Sequence, residues 1–258
     1  MAEPFQEMIL TWYEEHGRDL PWRKTTDPYS ILVSETMLQQ TQVDRVIPKY
    51  NKWLEVFPTT QALADAEKTD VMELWMGLGY NSRALRLQQA AAIIAKNGFP
   101  QTEKGLTALP GVGPYTARAV LAFAFNKDVP VLDTNIRRIY IHELRLPEGI
   151  SQKELELIAQ ENIPKGQSRI WHNALMDYGA LVLTARKTGI KPLKKQSRFR
   201  GSTRETRAKI LRYLLKEKKE SYASLKMAFP HEKFDAILEK MEKEELIIDE
   251  KGSILLKL

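Results

Sequence analysis

Two carboxylates stand where acid–base chemistry is possible, Glu35 and Asp133. Glu35 interrupts an apolar run, with Val33, Met37 and Leu38 beside it. Burial in such a run disfavours the charged carboxylate, raises its pKa and makes it a proton donor near neutral pH. Asp133 follows Val131–Leu132 and precedes a helical pattern. At a helix N-terminus the free amides and the dipole favour the ionised form. One protonated and one ionised carboxyl group is the pair that cleaves glycosidic bonds. Each residue also has a plainer reading: Asp133 as an N-cap alone, Glu35 as an exposed polar position on an amphipathic helix.

The stretch between them favours the chemical reading. Leu106 to Phe125, LTALPGVGPYTARAVLAFAF, is an apolar lead-in, a Pro-Gly-Val-Gly turn and a long apolar helix. Pro110 ends the first helix, because the residue before a proline leaves the α region. Gly111 and Gly113 permit a tight backbone that brings amides close to a ligand. The next helix starts with unpaired N–H groups, which hold an anion such as a DNA phosphate. The stretch is a helix-hairpin-helix, and VLDTNIRR at 131–138 places Asp133 one helix later.

Composition limits the alternatives. The 258 residues suffice for one large or several small domains. Lys and Arg number 39 against 33 Asp and Glu, a net charge of +6 that permits a polyanionic partner without requiring one. Cysteine is absent, which excludes disulfides, thiolate nucleophiles and cysteine-ligated metal or iron–sulfur sites. The first twenty residues are acidic and lack a signal-like apolar core, and no run approaches the length of a membrane span. The expectation is a cytoplasmic, nucleoid-associated monomer without membrane contact or cofactor.

Stepping outward, helical periodicity accounts for everything up to about residue 185. A helix at 5–16 carries Phe5, Met8, Ile9 and Trp12 on one face, and Gly17 stops it. Asp27–Pro28 starts the helix that runs through ILVSETMLQQTQ and carries Glu35. Helices at 43–57, 61–66 and 70–76 follow, then the glycine turn GLGYNSRA and a helix ending near Asn97. After the hairpin come helices at 134–145, 151–161 and 166–183. The fold class is therefore all-α up to that point. RKTGIKPLKKQSRFR at 186–200 holds seven basic residues and no acid. It reads as a solvated linker or as a strap on phosphates. The tail from Gly201 gives three helices and an alternating LIIDEKGSILLKL hairpin, a winged-helix-like α+β pattern. Such a module serves DNA or protein contacts.

The motifs together resemble the helix-hairpin-helix DNA glycosylases, specifically the MutY-type adenine DNA glycosylases. The resemblance rests on LPW at 20–22, SETMLQQTQVDRVIPKY at 34–50, LWMGLGYNSRA at 74–84, LPGVGPYTA at 109–117, VLDTNIRR at 131–138 and ALMDYGALV at 174–182. It implies a six-helix barrel domain at 26–132 and a second helical domain from 1–25 plus 133–190. The basic linker and winged-helix-like domain fill 191–258. It implies double-stranded DNA with a mispair as substrate and an active-site cleft between the helical domains. Glu35 would protonate adenine at N7 and later handle the water, and Asp133 would stabilise the oxocarbenium-like sugar. Tyr115 and Asn135 would orient these groups. Gln39, Gln40 and Thr41 would form the wedge that fills the space of the extruded base. DNA contacts are expected at Tyr80, Arg83, Gly111, Val112, Gly113, Arg138, Lys191, Lys194 and Lys195.

Four positions depart from that family's pattern. Tyr115 stands where lyase-active relatives carry a lysine, which implies base release without strong strand cleavage. Leu183 occupies the first of four cysteine positions, which implies no iron–sulfur cluster; the basic run then replaces the cluster's DNA-facing loop. Tyr80–Asn81 replaces a tyrosine pair whose second member is linked to sensing oxidised guanine, and the winged-helix-like tail stands in place of a Nudix-like domain. Asp133–Thr134–Asn135 replaces Asp-Gly-Asn. Adenine opposite 8-oxoguanine or guanine is the expected substrate. The alternatives are thymine or uracil opposite guanine, and a DNA-binding protein without catalysis.

Overall fold

The computed structural model describes residues 2–191 and 198–257. The helices, in chain order, are α1 (Ala2–His16), α2 (Pro28–Leu38), α3 (Val43–Val56), α4 (Thr60–Ala64), α5 (Lys68–Trp75) and α6 (Ser82–Asn97). The hairpin joins α7 (Glu103–Thr107) to α8 (Pro114–Phe123); then come α9 (Thr134–Glu143), α10 (Gln152–Glu161), α11 (Ser168–Leu181) and α12 (Ala185–Thr188). The C-terminal part adds α13 (Thr203–Glu217), β1 (Lys219–Ser221), α14 (Tyr222–Ala228), α15 (Phe234–Lys243), β2 (Ile247–Glu250) and β3 (Ser253–Leu256). The core is thus helical and the tail is a small α+β subdomain with winged-helix-like order. Its antiparallel sheet runs β1-β3-β2, with Lys219 opposite Leu255 and Ile247 opposite Leu256. The expected hairpin is β2–β3; β1 is an addition, too short at three residues to show alternation.

Two compact units divide the chain, Met1–Thr36 with Phe99–Lys195 and Met37–Gly98 with Gln196–Leu258. The division falls inside α2, and both helices of the hairpin belong to the first unit. The burial of α8 gives the reason. Thr116, Ala117, Ala119, Val120, Leu121, Ala122 and Phe123 are all buried, so this helix is apolar nearly all round and needs neighbours on every side. It packs against α11, in the unit that also holds Asp133.

The core of the first unit gathers Phe5 and Ile9 of α1, Ile136, Ile139 and Tyr140 of α9, and Trp171 and Leu175 of α11. Phe5 meets Tyr140 and Trp171 edge-on, with centroids 5.7 and 5.4 Å away. Met8, expected on the same face, is 38% exposed. The i, i+4 pair Phe5–Ile9 defines the buried stripe, and Met8 lies at its edge.

A polar contact ties the segment after α1 to α11. The Asp177 carboxylate accepts from the Arg18 backbone N–H at 2.7 Å, Arg18 Nε at 2.7 Å, Arg23 Nη1 at 2.6 Å and Arg23 Nη2 at 2.7 Å. Burial acts to raise its pKa, but the Arg23 and Arg18 contacts win and hold it below the usual range. Asp177→Asn leaves a buried guanidinium with no counter-charge and is expected to destabilise the protein by about 3–5 kcal/mol. Urea unfolding checks this. The contribution is present above the ordinary aspartate pKa and is lost as pH falls through the depressed one, so the deficit of the variant shrinks in acid.

Candidate active site

Glu35 lies on α2 and is 5% exposed. Its polar neighbours turn back onto the helix: Ser34 Oγ donates to Ile31 O at 2.8 Å and Thr36 Oγ1 to Leu32 O at 2.7 Å. Tyr115, in the first turn of α8, donates its hydroxyl to the Glu35 carboxyl group. Burial pushes the Glu35 pKa up to about 7; the nearby Asp133 charge adds to the rise and the Tyr115 hydrogen bond opposes it. The reading of Glu35 as an exposed polar position therefore does not hold. Burial and the neighbouring carboxylates also push the Tyr115 phenol well above its ordinary pKa, so it remains a donor.

Asp133 is the N-cap of α9, so the candidate acid–base group and the cap are the same carboxyl group. Oδ1 accepts the N–H groups of Asn135 at 2.8 Å and Ile136 at 2.7 Å, and Oδ2 accepts from Asn135 Nδ2 at 3.2 Å. Arg138 Nη2 donates to Asn135 Oδ1 at 2.6 Å, which fixes the amide so that its NH2 faces Asp133. Burial outweighs these donors and moves the Asp133 pKa up as well, against the expectation from the cap alone. The asymmetry between the two acids survives. Two amides, the Asn135 side chain and the Arg138 charge favour ionised Asp133, whereas Tyr115 alone favours ionised Glu35. Of the two, Glu35 is the group that holds a proton.

Two residues of α11 that sequence reasoning did not single out set the position of Asp133. His172, 1% exposed, accepts the Val131 N–H at Nε2 (3.1 Å), so its proton is on Nδ1, which donates to Ser168 O at 2.7 Å. The neutral ring pins the strand-like segment that leads into Asp133. Gly179 passes so close to α9 that a Cβ there would lie 3.0 Å from Asn135 Cβ and 3.2 Å from Ile139 Cδ1. The Ser168–His172 spacing is the one local signal for the first; its partner Val131 is 41 residues away. Burial depresses the His172 pKa to about 4. The folded protein thus resists a proton that the unfolded chain accepts near pH 6.5. Stability is full above that pH and falls by up to about 3 kcal/mol as pH drops towards 4. His172→Gln is expected to flatten this part of the stability–pH curve.

The hairpin offers a turn with one open flank. Gly111 has φ +79°, a left-handed value that favours glycine. Gly113 is extended, and a Cβ added there would meet no atom within 4 Å. Val112 is 8% exposed and its N–H donates to Leu109 O at 3.2 Å, so it anchors the turn and presents neither side chain nor amide outward.

The remaining expected DNA contacts fall into two groups. In the second unit, α2 ends at Leu38 instead of continuing through Gln42, because Gln40 takes φ +57° and turns the chain. Gln40 is thereby exposed, and Tyr80 donates its hydroxyl to Gln40 Oε1 at 2.6 Å. Gln39 and Thr41 are half-buried, and Thr41 Oγ1 donates to Leu78 O at 3.2 Å. Arg83 is 8% exposed and donates to Gln39 O and Gly79 O, both at 2.9 Å, so it staples the Gln40 and Tyr80 turns together. Arg138 in the first unit is 4% exposed and donates to Leu183 O at 2.6 Å. Both guanidinium groups are buried and bonded to backbone carbonyls. Lys191 is exposed; Lys194 and Lys195 lie outside the described residues.

An iron–sulfur cluster does not fit here. It needs thiolates, and the chain has no cysteine. Leu183 is buried in the apolar core, and its carbonyl takes the Arg138 bond. Packing and a guanidinium hold the end of α11 in place.

A helical core, a Gly-Val-Gly hairpin and a buried Glu–Tyr–Asp group define the helix-hairpin-helix class of base excision enzymes. Residues 33–165 match the family model "HhH-GPD superfamily base excision DNA repair protein". A curated adenine DNA glycosylase of Mycolicibacterium smegmatis is 38% identical over 227 residues, covering 79% of this chain and 78% of that protein. The human adenine DNA glycosylase is 37% identical over 196 residues, covering 70% of this chain and 36% of that protein. The chain belongs to the adenine DNA glycosylases of this superfamily. Among solved structures, a thermostable thymine-DNA glycosylase is 30% identical with a TM-score of 0.68, covering 72% of this chain and 89% of that one. A non-covalent endonuclease III–DNA complex, at 19% identity and a TM-score of 0.63, shares the fold, covering 75% of this chain and 90% of that one.

Proposed function

We propose that the protein hydrolyses the N-glycosidic bond of adenine mispaired with 8-oxoguanine or guanine in double-stranded DNA, acting as a monomer in base excision repair. The observation that carries this is the buried Glu35, its pKa raised to about 7, beside a capped Asp133. With adenine out of the stack, Glu35 gives its proton to the base at N7, which makes adenine a good leaving group. The C1′–N bond breaks and its electron pair leaves with adenine. The cationic sugar is stabilised by the Asp133 carboxylate, held in place before reaction by two amides and Asn135. Water then adds at C1′ and returns a proton to Glu35. Tyr115 keeps Glu35 oriented throughout and supplies no amine, so strand cleavage by Schiff-base chemistry has no nucleophile at this position. The hairpin at 109–113 grips the backbone, and Gln40 fills the vacated stack.

A second reading is removal of thymine or uracil opposite guanine, favoured by the 30% identity to a thymine-DNA glycosylase. The experiment is a panel of A·8-oxoguanine, A·G, T·G and U·G duplexes, with abasic product separated from nicked strand. Release of adenine, with nicking only after alkali, is expected. Release of thymine or uracil alone selects the second reading. No abasic product from any duplex refutes both and leaves a DNA-binding protein without catalysis.

A further inference from the structure

The second unit contains a cavity of about 700 Å³ between the Gln40–Tyr80 turns and the C-terminal subdomain. Its wall has two chemical features. Six cationic side chains line it, Arg45, Arg204, Arg207, Arg212, Lys233 and Lys240, against one carboxylate, Glu244. Glu244 is held by both Arg207 Nη groups and approached by Lys240 at 4.0 Å, so its charge is already compensated. Arg45 and Arg212 are exposed and form no ion pair among the described residues. The second feature is aromatic. The Arg204 guanidinium sits 5.9 Å from the ring centroids of both Tyr80 and Phe199, and Arg204 Nη1 donates to the Tyr80 hydroxyl at 3.3 Å. Tyr80 is 39% and Phe199 53% exposed. The two residues that meet at the rim, Gln40 and Tyr80, both have positive φ, at 57° and 47°. Strain of this kind in non-glycine residues persists where the surroundings impose it and concentrates at ligand-binding turns.

Cations that attract phosphate, next to exposed ring faces that accept a base, are the recognition chemistry of an unstacked nucleotide. We propose that this cavity is a nucleotide site for the bound DNA duplex, with Arg45 and Arg212 on phosphates and an unpaired base against Tyr80, Phe199 and Arg204. The winged-helix-like subdomain thereby becomes part of the DNA-reading surface through α13 and α15. This rests on the reading above that mispaired duplex DNA is the substrate. An acidic protein segment is the other macromolecule such a wall attracts, and it predicts DNA binding that ignores these residues.

The test is duplex binding by fluorescence anisotropy between 50 and 200 mM KCl, in a Glu35→Gln background so that substrate is not consumed. Each phosphate contact contributes about 0.9 to the slope of log affinity against log salt. Arg45→Ala and Arg212→Ala, on separate elements and both at exposed positions, are each expected to lower the slope by about 0.9, and together by about 1.8. Arg204→Ala is expected to weaken binding to the mispaired duplex more than to the fully paired one. Unchanged slopes in Arg45→Ala, Arg212→Ala and the double variant overturn the site, as does tighter binding in Arg204→Ala, which would make the subdomain a cover over Tyr80. Reduced slopes with no base release from any mispair by the wild-type protein keep the site and remove the proposed activity. Base release with unreduced slopes removes the site alone.

Discussion

Glu35→Gln is expected to lower the single-turnover rate of adenine release about 10²- to 10⁴-fold, the range that a positioned general acid supplies. The amide keeps the shape and accepts the Tyr115 hydrogen bond, but it has no proton to give to the leaving base. The same substitution is expected to stabilise the fold in alkali. In the wild type the folded state raises the Glu35 pKa from 4.5 to about 7. A raised carboxyl pKa contributes stability below the unfolded value, and that contribution is lost as pH rises through the folded value. Above pH 7 the wild type therefore carries a buried charge worth up to about 3 kcal/mol, which the glutamine lacks. Melting temperatures at pH 6 and pH 8.5 are the check, with the variant gaining on the wild type at the higher pH. An active, or an alkali-sensitive, Glu35→Gln protein would remove Glu35 from the role of acid. The wild-type rate is expected to fall with pH on a limb near 7, where Glu35 loses its proton.

Asp133→Asn separates the charge from the cap. Asparagine caps helices as well as aspartate does, so α9 keeps its first turn. Its NH2 meets Asn135 Nδ2, donor against donor, because Arg138 holds that amide in place. This costs about 1 kcal/mol, the scale of one hydrogen bond. The loss in rate is expected to be far larger, about 10²- to 10³-fold, because the oxocarbenium-like sugar then faces a neutral group. The alkaline limb of the residual activity should also move to lower pH. The Asp133 charge is one of the two causes that raise the Glu35 pKa, and removing it lets Glu35 ionise earlier. A limb that stays in place would show that burial alone sets the proton on Glu35.

Much of the candidate site is written locally. Asp133 stands before Thr134 and a periodic apolar stretch, so its role as an N-cap follows from spacing, and the cap is what aims it. Glu35 is flanked by apolar residues at helical spacing, and its burial follows. The helical class of the core and the α+β tail follow from periodicities of 3.6 and 2. The short strand β1 does not, since three residues carry no pattern, and its pairing with β3 spans more than thirty residues of chain.

The arginines show where such reading stops. Arg83 and Arg138 lie in motifs associated with DNA binding, and a cation in such a motif reads as a phosphate contact. Packing also surrounds each with backbone carbonyls, which no local pattern announces, because turns and helix ends leave acceptors that must be satisfied when buried. The end of α2 is similar. Side-chain periodicity continues through Gln42, yet a left-handed Gln40 stops the helix and exposes its amide beside Tyr80.

By itself the sequence determines which groups the proposed reaction would use: a carboxyl group in an apolar helix, another at a helix start, a hairpin between them, a tyrosine where an amine would otherwise stand, and no thiolate for a cluster. The tertiary structure decides which carboxyl group keeps the proton. That depends on how many donors each one meets: Asp133 meets an amide fixed by Arg138, and it follows a chain segment pinned by His172 from 41 residues away. Proton affinity is set by burial and by neighbours in space, and neither quantity is local in the chain.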